Sequence, residues 1–188
     1  MIRTFCMSAL LAGAAFAVPA LAAHHEHDHG VAPAAAAQPE AAKAAIRDAA
    51  GDVKGTAKVW TMGDGVHADV SVSGMAPGTY GIHLHQVGQC VAPDFKSAGG
   101  HWNPAGVVHG RDTATGGHKG DLPNLVVGAD GTGSLSVHID KGLLKGGDGA
   151  LLDADGAAIV IHAAADDNKS DPAGNAGARI ACGVLTLG

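Results

Sequence analysis

Short segments of alternating apolar and polar residues, separated by glycine-rich turns, dominate this sequence from about residue 42 onward. Val53 to Trp60 and Val66 to Ser73 alternate in this way, and Gly63-Asp64-Gly65 separates them. A period of two is typical of β-strands with one buried face, and segments this short do not suit helices. With 29 glycines in 188 residues, the pattern predicts an all-β domain of roughly eight antiparallel strands, folded as a sandwich or barrel. The strands that can be placed cover residues 53–60, 66–73, 79–85, 125–127, 133–139, 157–161 and 179–187.

The N-terminal 22 residues have the features of a secretory signal peptide. A short basic start precedes an apolar run of mostly small residues, and Ala20-Leu21-Ala22 forms a cleavage signal. Residues 23–42 are rich in histidine, alanine and proline and are interpreted as a flexible tail, so residues 43–188 are expected to form the domain. We therefore expect an exported protein, in the periplasm, and no membrane anchor because no other long apolar run follows.

The cysteines and the net charge argue against two functions, catalysis by a free thiol and binding of nucleic acid. Removal of Cys6 with the signal peptide leaves Cys90 and Cys182, and an even pair in an exported protein favours a disulfide over a catalytic free thiol. The formal net charge of −6, without basic clusters, argues against nucleic acid as a partner.

Histidines are concentrated in and around a segment with little periodicity, residues 86–121. His83 and His85 precede it on a predicted strand, where the period of two places both imidazoles on one face. Imidazole suits copper and zinc, and a carboxylate among histidines suits zinc. The pattern predicts a metal protein with one site or two, and the further candidate ligands are His101, His109, His118, Asp121 and His162.

Five blocks of this sequence resemble the copper/zinc superoxide dismutase family, in the family's order, over roughly residues 43–188. A lone His-x-His would be weak support, but the five blocks together are specific, and the last is the most specific of them. The blocks are Gly81-Ile82-His83-Leu84-His85 with Gly88 and Cys90, Gly100-His101-Trp102-Asn103-Pro104, His109-Gly110 with His118-Lys119-Gly120-Asp121-Leu122, Ile161-His162 with Ala165-Asp166-Asp167, and Gly174 to Gly183.

The resemblance implies a Greek-key, immunoglobulin-like domain with long metal-binding loops, one copper and one zinc per subunit. Asp166 would accept hydrogen bonds from one histidine of each metal. Arg179 would attract the anionic substrate, and Cys90 and Cys182 would form the disulfide. Copper would be held by His83, His85, His101 and His162, and zinc by His101, His109, His118 and Asp121, with His101 bridging the two metals.

The implied activity is disproportionation of superoxide to O2 and hydrogen peroxide by Cu(II)/Cu(I) cycling beside a structural zinc. The catalytic set would then be the four copper ligands and Arg179. The alternative is a non-enzymatic periplasmic copper carrier or buffer on the same fold, and a purely structural sandwich ranks third. A homodimer is one arrangement that the resemblance leaves open.

Six histidines lie outside the proposed ligand set. His67 and His138 lie in predicted strands and are interpreted as facing solvent without an assigned role. The tail histidines form either an accessory collector of copper or zinc or a solvated segment without function; they are His24, His25, His27 and His29.

Overall fold

The structure, a computed structural model, describes residues 40–188. The single helical element in that range is a 3-10 turn, Lys96–Ala98, and no helix there is long and apolar enough to cross a membrane. The all-β prediction is confirmed. The strands are β1 (Ala41–Asp48), β2 (Val53–Met62), β3 (Gly65–Val72), β4 (Gly78–Tyr80), β5 (Ile82–His85), β6 (Leu125–Val127), β7 (Gly133–Asp140), β8 (Ala157–His162) and β9 (Arg179–Leu187).

The nine strands form one antiparallel sheet that closes nearly into a barrel. Its order is β4-β6-β7-β3-β2-β1-β9-β8-β5, with the crossed connections of a Greek key. The two end strands, β4 and β5, are consecutive in the chain and are separated only by Gly81. They are two halves of the strand predicted at 79–85, so this one predicted strand becomes two in the hydrogen-bonded sheet. The Gly81 amide donates to the Ala164 carbonyl, and its own carbonyl accepts from the His162 amide.

Strand β1 has no counterpart among the strands placed from sequence. Its residues alternate as other strands do, but alanine fills three of its four most buried positions, so the apolar pattern is weak. Ala41 and Ala42, which the sequence prediction assigned to the tail, are buried in this strand. The predicted signal peptide and the tail up to residue 39 lie outside the described residues.

The faces of β5 and β8 explain where the site forms. Ile82, Leu84 and Ile161 point into the main core of the barrel, as expected for alternate positions. The opposite faces are also buried, because the segment 86–121 folds back over them. Phe95 and Ala98 of that segment pack on Ala158, Val160 and Cys182.

A disulfide joins this covering segment to the last strand. Cys90 and Cys182 are bonded across 92 positions of sequence, as the cysteine count predicted. Two single-residue bridges add to this attachment, pairing His83 with Asp121 and His85 with His101. The long irregular segment is therefore ordered by cross-links rather than by regular secondary structure.

Candidate metal centre

Four imidazoles meet beneath the covering segment. His83 and His85 come from β5, His162 ends β8, and His101 comes from the segment itself. One nitrogen of each ring lies within 4.8 Å of one nitrogen of every other ring. All four residues are buried, and the ring of His83 stacks on that of His101 with 4.0 Å between centroids.

The second nitrogen of three of these rings is held by a specific acceptor. The Nε2–H of His83 donates to Asp166 at 2.7 Å, and the Nδ1–H of His85 donates to the Gly99 carbonyl at 3.0 Å. The Nδ1–H of His162 donates to the Gly177 carbonyl at 3.2 Å. The opposite nitrogens of these rings, and Nε2 of His101, are buried without a hydrogen-bond partner in residues 40–188. Because a buried polar atom without a partner costs free energy, four such atoms facing one another indicate a ligand site.

A second set of four residues adjoins the first and shares His101 with it. The Nδ1 atoms of His101, His109 and His118 lie 2.8, 3.0 and 3.1 Å from Oδ1 of Asp121. The other oxygen of Asp121 accepts the backbone amides of Gly110 and His118, at 2.9 and 2.8 Å. The backbone thus orients the carboxylate, and Oδ1 remains at the centre of three imidazole nitrogens.

These donor sets fit the two metals that the sequence pattern predicts. Four imidazole nitrogens suit copper in either valence. Three nitrogens and one carboxylate oxygen make the closed four-ligand set typical of structural zinc. The sharing of His101, with Nε2 in one set and Nδ1 in the other, places the two sites on either side of one ring.

Asp166 connects the two sets by hydrogen bonds to one ring of each. Its Oδ2 accepts from His83 and its Oδ1 accepts from Nε2 of His109 at 3.1 Å, so one carboxylate orients one ring of each set. His83, His109 and Asp166 also form a compact group of their own. Their contacts are these hydrogen bonds, which identify Asp166 as the partner that orients the two rings.

The protonation states suit metal binding at neutral pH. Burial lowers the pKa of His83 to about 3, with Asp166 opposing the shift, and burial lowers that of His162 to about 4. Burial and the charges of neighbouring groups also hold the pKa of His85 well below its usual value. Burial alone would raise the pKa of Asp166, but hydrogen bonds from His83, Asn168 and His109 outweigh it and lower the pKa. The rings are therefore neutral with a free lone pair, and the carboxylate is charged.

Arg179 stands beside the four-histidine set at the start of β9. Its guanidinium donates to the carbonyls of Phe95 and Gly99, at 2.8 and 2.7 Å. The Gly99 carbonyl also accepts from His85, so one oxygen positions both the cation and a candidate ligand. Arg179 and His101 line the same open cavity of about 350 Å3, which gives a small anion access to both.

Two residues that support the site were missed from sequence. The side-chain amide of Asn124 donates to the Asp166 carbonyl at 2.9 Å and accepts the Asp166 amide at 2.8 Å, which clamps that residue. Gly174 lies so close that a Cβ there would be 1.7 Å from Oδ1 of Asp166. Neither residue is of a type that commonly binds copper or zinc. Both contact Asp166, which lies 42 positions from Asn124 and 8 positions from Gly174. Sequence spacing gives no signal for Asn124, and Gly174 stood only within a block of the resemblance.

The structure thus brings together every predicted ligand, with Asp166 and Arg179 beside them. His67 and His138 lie on a different face of the barrel, and the tail histidines lie outside the described residues. Together, the nearly closed antiparallel barrel and the paired sets of imidazoles define a class of all-β proteins built to hold two adjacent metal ions.

Comparison with known proteins identifies the family. Residues 53–185 match the copper/zinc superoxide dismutase family, and the chain belongs to it. A copper/zinc superoxide dismutase of Caulobacter vibrioides is 42% identical over 147 residues, covering 77% of this chain and 84% of its own length. The superoxide dismutase-like protein YojM of Bacillus subtilis is 46% identical over 124 residues, which are 65% of this chain and 63% of that protein.

Solved structures agree on the fold. A structure of a superoxide dismutase-like protein from Bacillus subtilis superposes with a TM-score of 0.72 at 39% identity, covering 77% of this chain and 97% of that one. The copper/zinc superoxide dismutase from Brucella abortus gives 0.62 at 28% identity, covering 78% and 100%.

Proposed function

We propose that this protein is a superoxide dismutase that disproportionates superoxide to O2 and hydrogen peroxide. The observation that carries the proposal is the group of four imidazole nitrogens that have no hydrogen-bond partner among the described residues, with Arg179 positioned beside it. Copper bound at these nitrogens would supply the exchange of one electron with each of two superoxide anions. Several relatives of the family are named as copper/zinc superoxide dismutases, which supports the same activity.

The chain's own groups have three tasks in this reaction. Arg179 attracts the anion into the cavity and holds it by charge, and a focusing cleft raises the encounter rate. Superoxide dismutases are known as a class for turnover near the diffusion limit, so attraction of the substrate matters more than tight binding. Nε2 of His101 would carry a proton toward the reduced product, and the contact of Nδ1 with Asp121 would keep the ring in position. Asp166, Gly99 and Gly177 keep the remaining rings in the required tautomers.

A copper carrier or buffer is the second candidate, because the Bacillus relative is named only as superoxide dismutase-like. A carrier needs affinity for copper but no positioned cation in an open cavity. Arg179 is partly desolvated and held by two carbonyls, which favours the enzyme.

The test is metal analysis of the purified protein combined with a superoxide assay before and after copper removal. We expect one copper and one zinc per chain, loss of activity on copper removal, and recovery on its return. A protein that binds both metals and shows no activity would instead be a carrier.

His101→Ala should abolish most activity and lower zinc retention with the barrel still folded, and unchanged zinc content would remove the shared role of His101.

We also propose export to the periplasm through the signal peptide at residues 1–22. The tail histidines would then help the protein acquire copper when the metal is scarce. Deletion of residues 24–29 should leave activity intact at saturating copper and slow metal acquisition at limiting copper. Equal acquisition by both forms would mean that the tail is without this function.

A further inference from the structure

The backbone of Phe95 adopts a conformation that a bulky residue rarely takes. Its φ and ψ angles are 51° and 21°, in the left-handed region, just before the 3-10 turn Lys96–Ala98. Four non-glycine residues of the described range have a positive φ, and two of them are asparagines, which tolerate this region. Phe95 is the only aromatic residue among these four. Strained backbone is concentrated at functional sites, where the surrounding structure must hold it in place.

The strained residue directs its carbonyl at Arg179. Nη1 of the guanidinium donates to the Phe95 carbonyl at 2.8 Å, and Nη2 donates to the Gly99 carbonyl at 2.7 Å. The two acceptors flank the 3-10 turn, so one short turn holds both arms of the planar guanidinium. Both are neutral backbone oxygens, so they fix the cation without cancelling the charge that attracts an anion.

The side chain of Phe95 holds this conformation in place. The ring is 2% exposed and packs in a buried cluster with Ala98, Ala158, Val160 and Cys182. The Phe95 carbonyl also accepts the Ala98 amide at 3.1 Å, which closes the turn. Burial of a phenyl ring contributes more free energy than one left-handed residue costs, so the packed ring can maintain the strained backbone.

The other end of the turn is held differently. Gly99 has φ and ψ angles of 73° and −153°, which glycine accepts at little steric cost. Its carbonyl accepts from Nδ1–H of His85 as well as from Arg179, so a candidate ligand also fixes this oxygen. The Phe95 oxygen accepts from Arg179 and from its own turn. Its direction therefore depends on how residue 95 is anchored.

We propose that Phe95 is a positioning residue, whose buried ring sets the place of Arg179 at the open cavity. The ring fixes the left-handed backbone, the backbone aims the carbonyl, and the carbonyl holds Nη1 of the guanidinium. Arg179 and His101 line that cavity, so the position of the cation decides how well a small anion is drawn toward the four-histidine set. The natural anion would be superoxide, which rests on the function proposed above, but attraction of a small anion can be measured without turnover.

The test measures binding of azide, a small monovalent anion, to the full-length protein loaded with copper and zinc. Azide that reaches Cu(II) gives a charge-transfer absorption band, so its affinity is read from a titration that contains no superoxide. Phe95→Gly allows the left-handed backbone without strain but removes the ring. We expect this variant to weaken azide by about 3- to 30-fold, within the range of coupling between residues in contact. Phe95→Leu keeps an apolar anchor and should recover most of the affinity.

A double variant determines whether Phe95 acts through Arg179. Arg179→Ala should weaken azide at least as much as Phe95→Gly. Adding Phe95→Gly to Arg179→Ala should cause no further loss, because the group that Phe95 positions is already absent. Lys141→Asn is the matched control, since Lys141 also has a left-handed backbone, with φ 54°, but does not line the cavity. Its azide affinity should stay within about twofold of the parent, as for an independent site.

An azide affinity in Phe95→Gly or in Arg179→Ala within about twofold of the parent would overturn the proposal. A further loss in the double variant, or loss of copper from Phe95→Gly at saturating metal, would also overturn it, because the ring would then stabilise the whole site instead of Arg179. A protein that shows the expected azide pattern but no dismutase activity would refute the function proposed above and support the positioning role of Phe95.

Discussion

Replacing Asp166 with asparagine changes one atom at the point where the two metal sets meet. The carboxylate accepts from His83 through Oδ2 and from His109 through Oδ1, and the residue is only 3% exposed. An asparagine keeps the size and one acceptor but replaces the other oxygen with an N–H donor. In either orientation, one imidazole N–H then faces another donor.

The size of the effect follows from this lost contact. A hydrogen bond to a charged group contributes about 1.5–3 kcal/mol, and the affected ring would avoid the clash by moving its proton to the metal-facing nitrogen. Removal of a group that orients a ligand typically costs about 10- to 100-fold in metal affinity, or about 1.4–2.7 kcal/mol. The two ranges overlap, so we expect Asp166→Asn to weaken at least one of the two metals by about 10- to 100-fold.

The assay is competition of the loaded protein with chelators of known affinity, with copper and zinc measured separately. Asp167→Asn is the matched control, because Asp167 is exposed and bonds only to loop groups such as Ser170 and Asn175. The control should keep both affinities within about threefold of the parent, since a variant that affects neither orienting bond leaves ligand tautomers unchanged. If Asp166→Asn also keeps both affinities within that range, the connecting role of Asp166 is wrong.

Three other outcomes follow from the same structure. In the metal-free protein, the pKa values of about 3 for His83 and about 4 for His162 lie below the usual 6.5, so only the unfolded chain takes up these protons as the pH falls below 6.5. The free energy of unfolding should then drop by about 1.4 kcal/mol per pH unit for each histidine until its folded pKa is reached; urea titrations that give the same value at pH 7 and pH 5 would contradict this. Arg179→Ala should slow superoxide consumption and flatten its salt dependence with copper retained, and an unaltered rate at low salt would exclude attraction by this residue. Cys182→Ser opens a loop of 92 positions, and the chain-entropy model predicts that the free energy of unfolding falls by about 4 to 5 kcal/mol. A loss below about 1 kcal/mol would show that the metal-binding segment is held without the disulfide.

Local patterns were enough to predict most of the strands. Alternation between Val53 and Trp60 and between Val66 and Ser73 predicted β2 and β3, because one face of each lies on the core. β1 escaped because alanine contributes little to an apolar pattern, although Ala42 is completely buried. The division of the strand 79–85 at Gly81 was also not predictable, since it depends on partners on two different sides, β6 and β8.

The chemistry of the ligands was encoded in the sequence. Every residue that the structure brings into the two metal sets was predicted from the histidines, their order along the chain and the resemblance to a known family. What spacing did not supply is the way each ring is oriented. The contacts that decide the tautomers of His83 and His85 come from Asp166 and Gly99, 83 and 14 positions away.

The sequence by itself therefore determined most of the strands, the cysteine pair and the ligand types, because these depend on residue identity and on neighbours along the chain. The tertiary structure decided which nitrogen of each ring is left bare and how Asn124 and Gly174 confine Asp166. These depend on bond directions and on distances of about 3 Å between segments that meet only in the folded barrel. Residue types decide which groups can bind a metal, and the folded backbone decides where their lone pairs point.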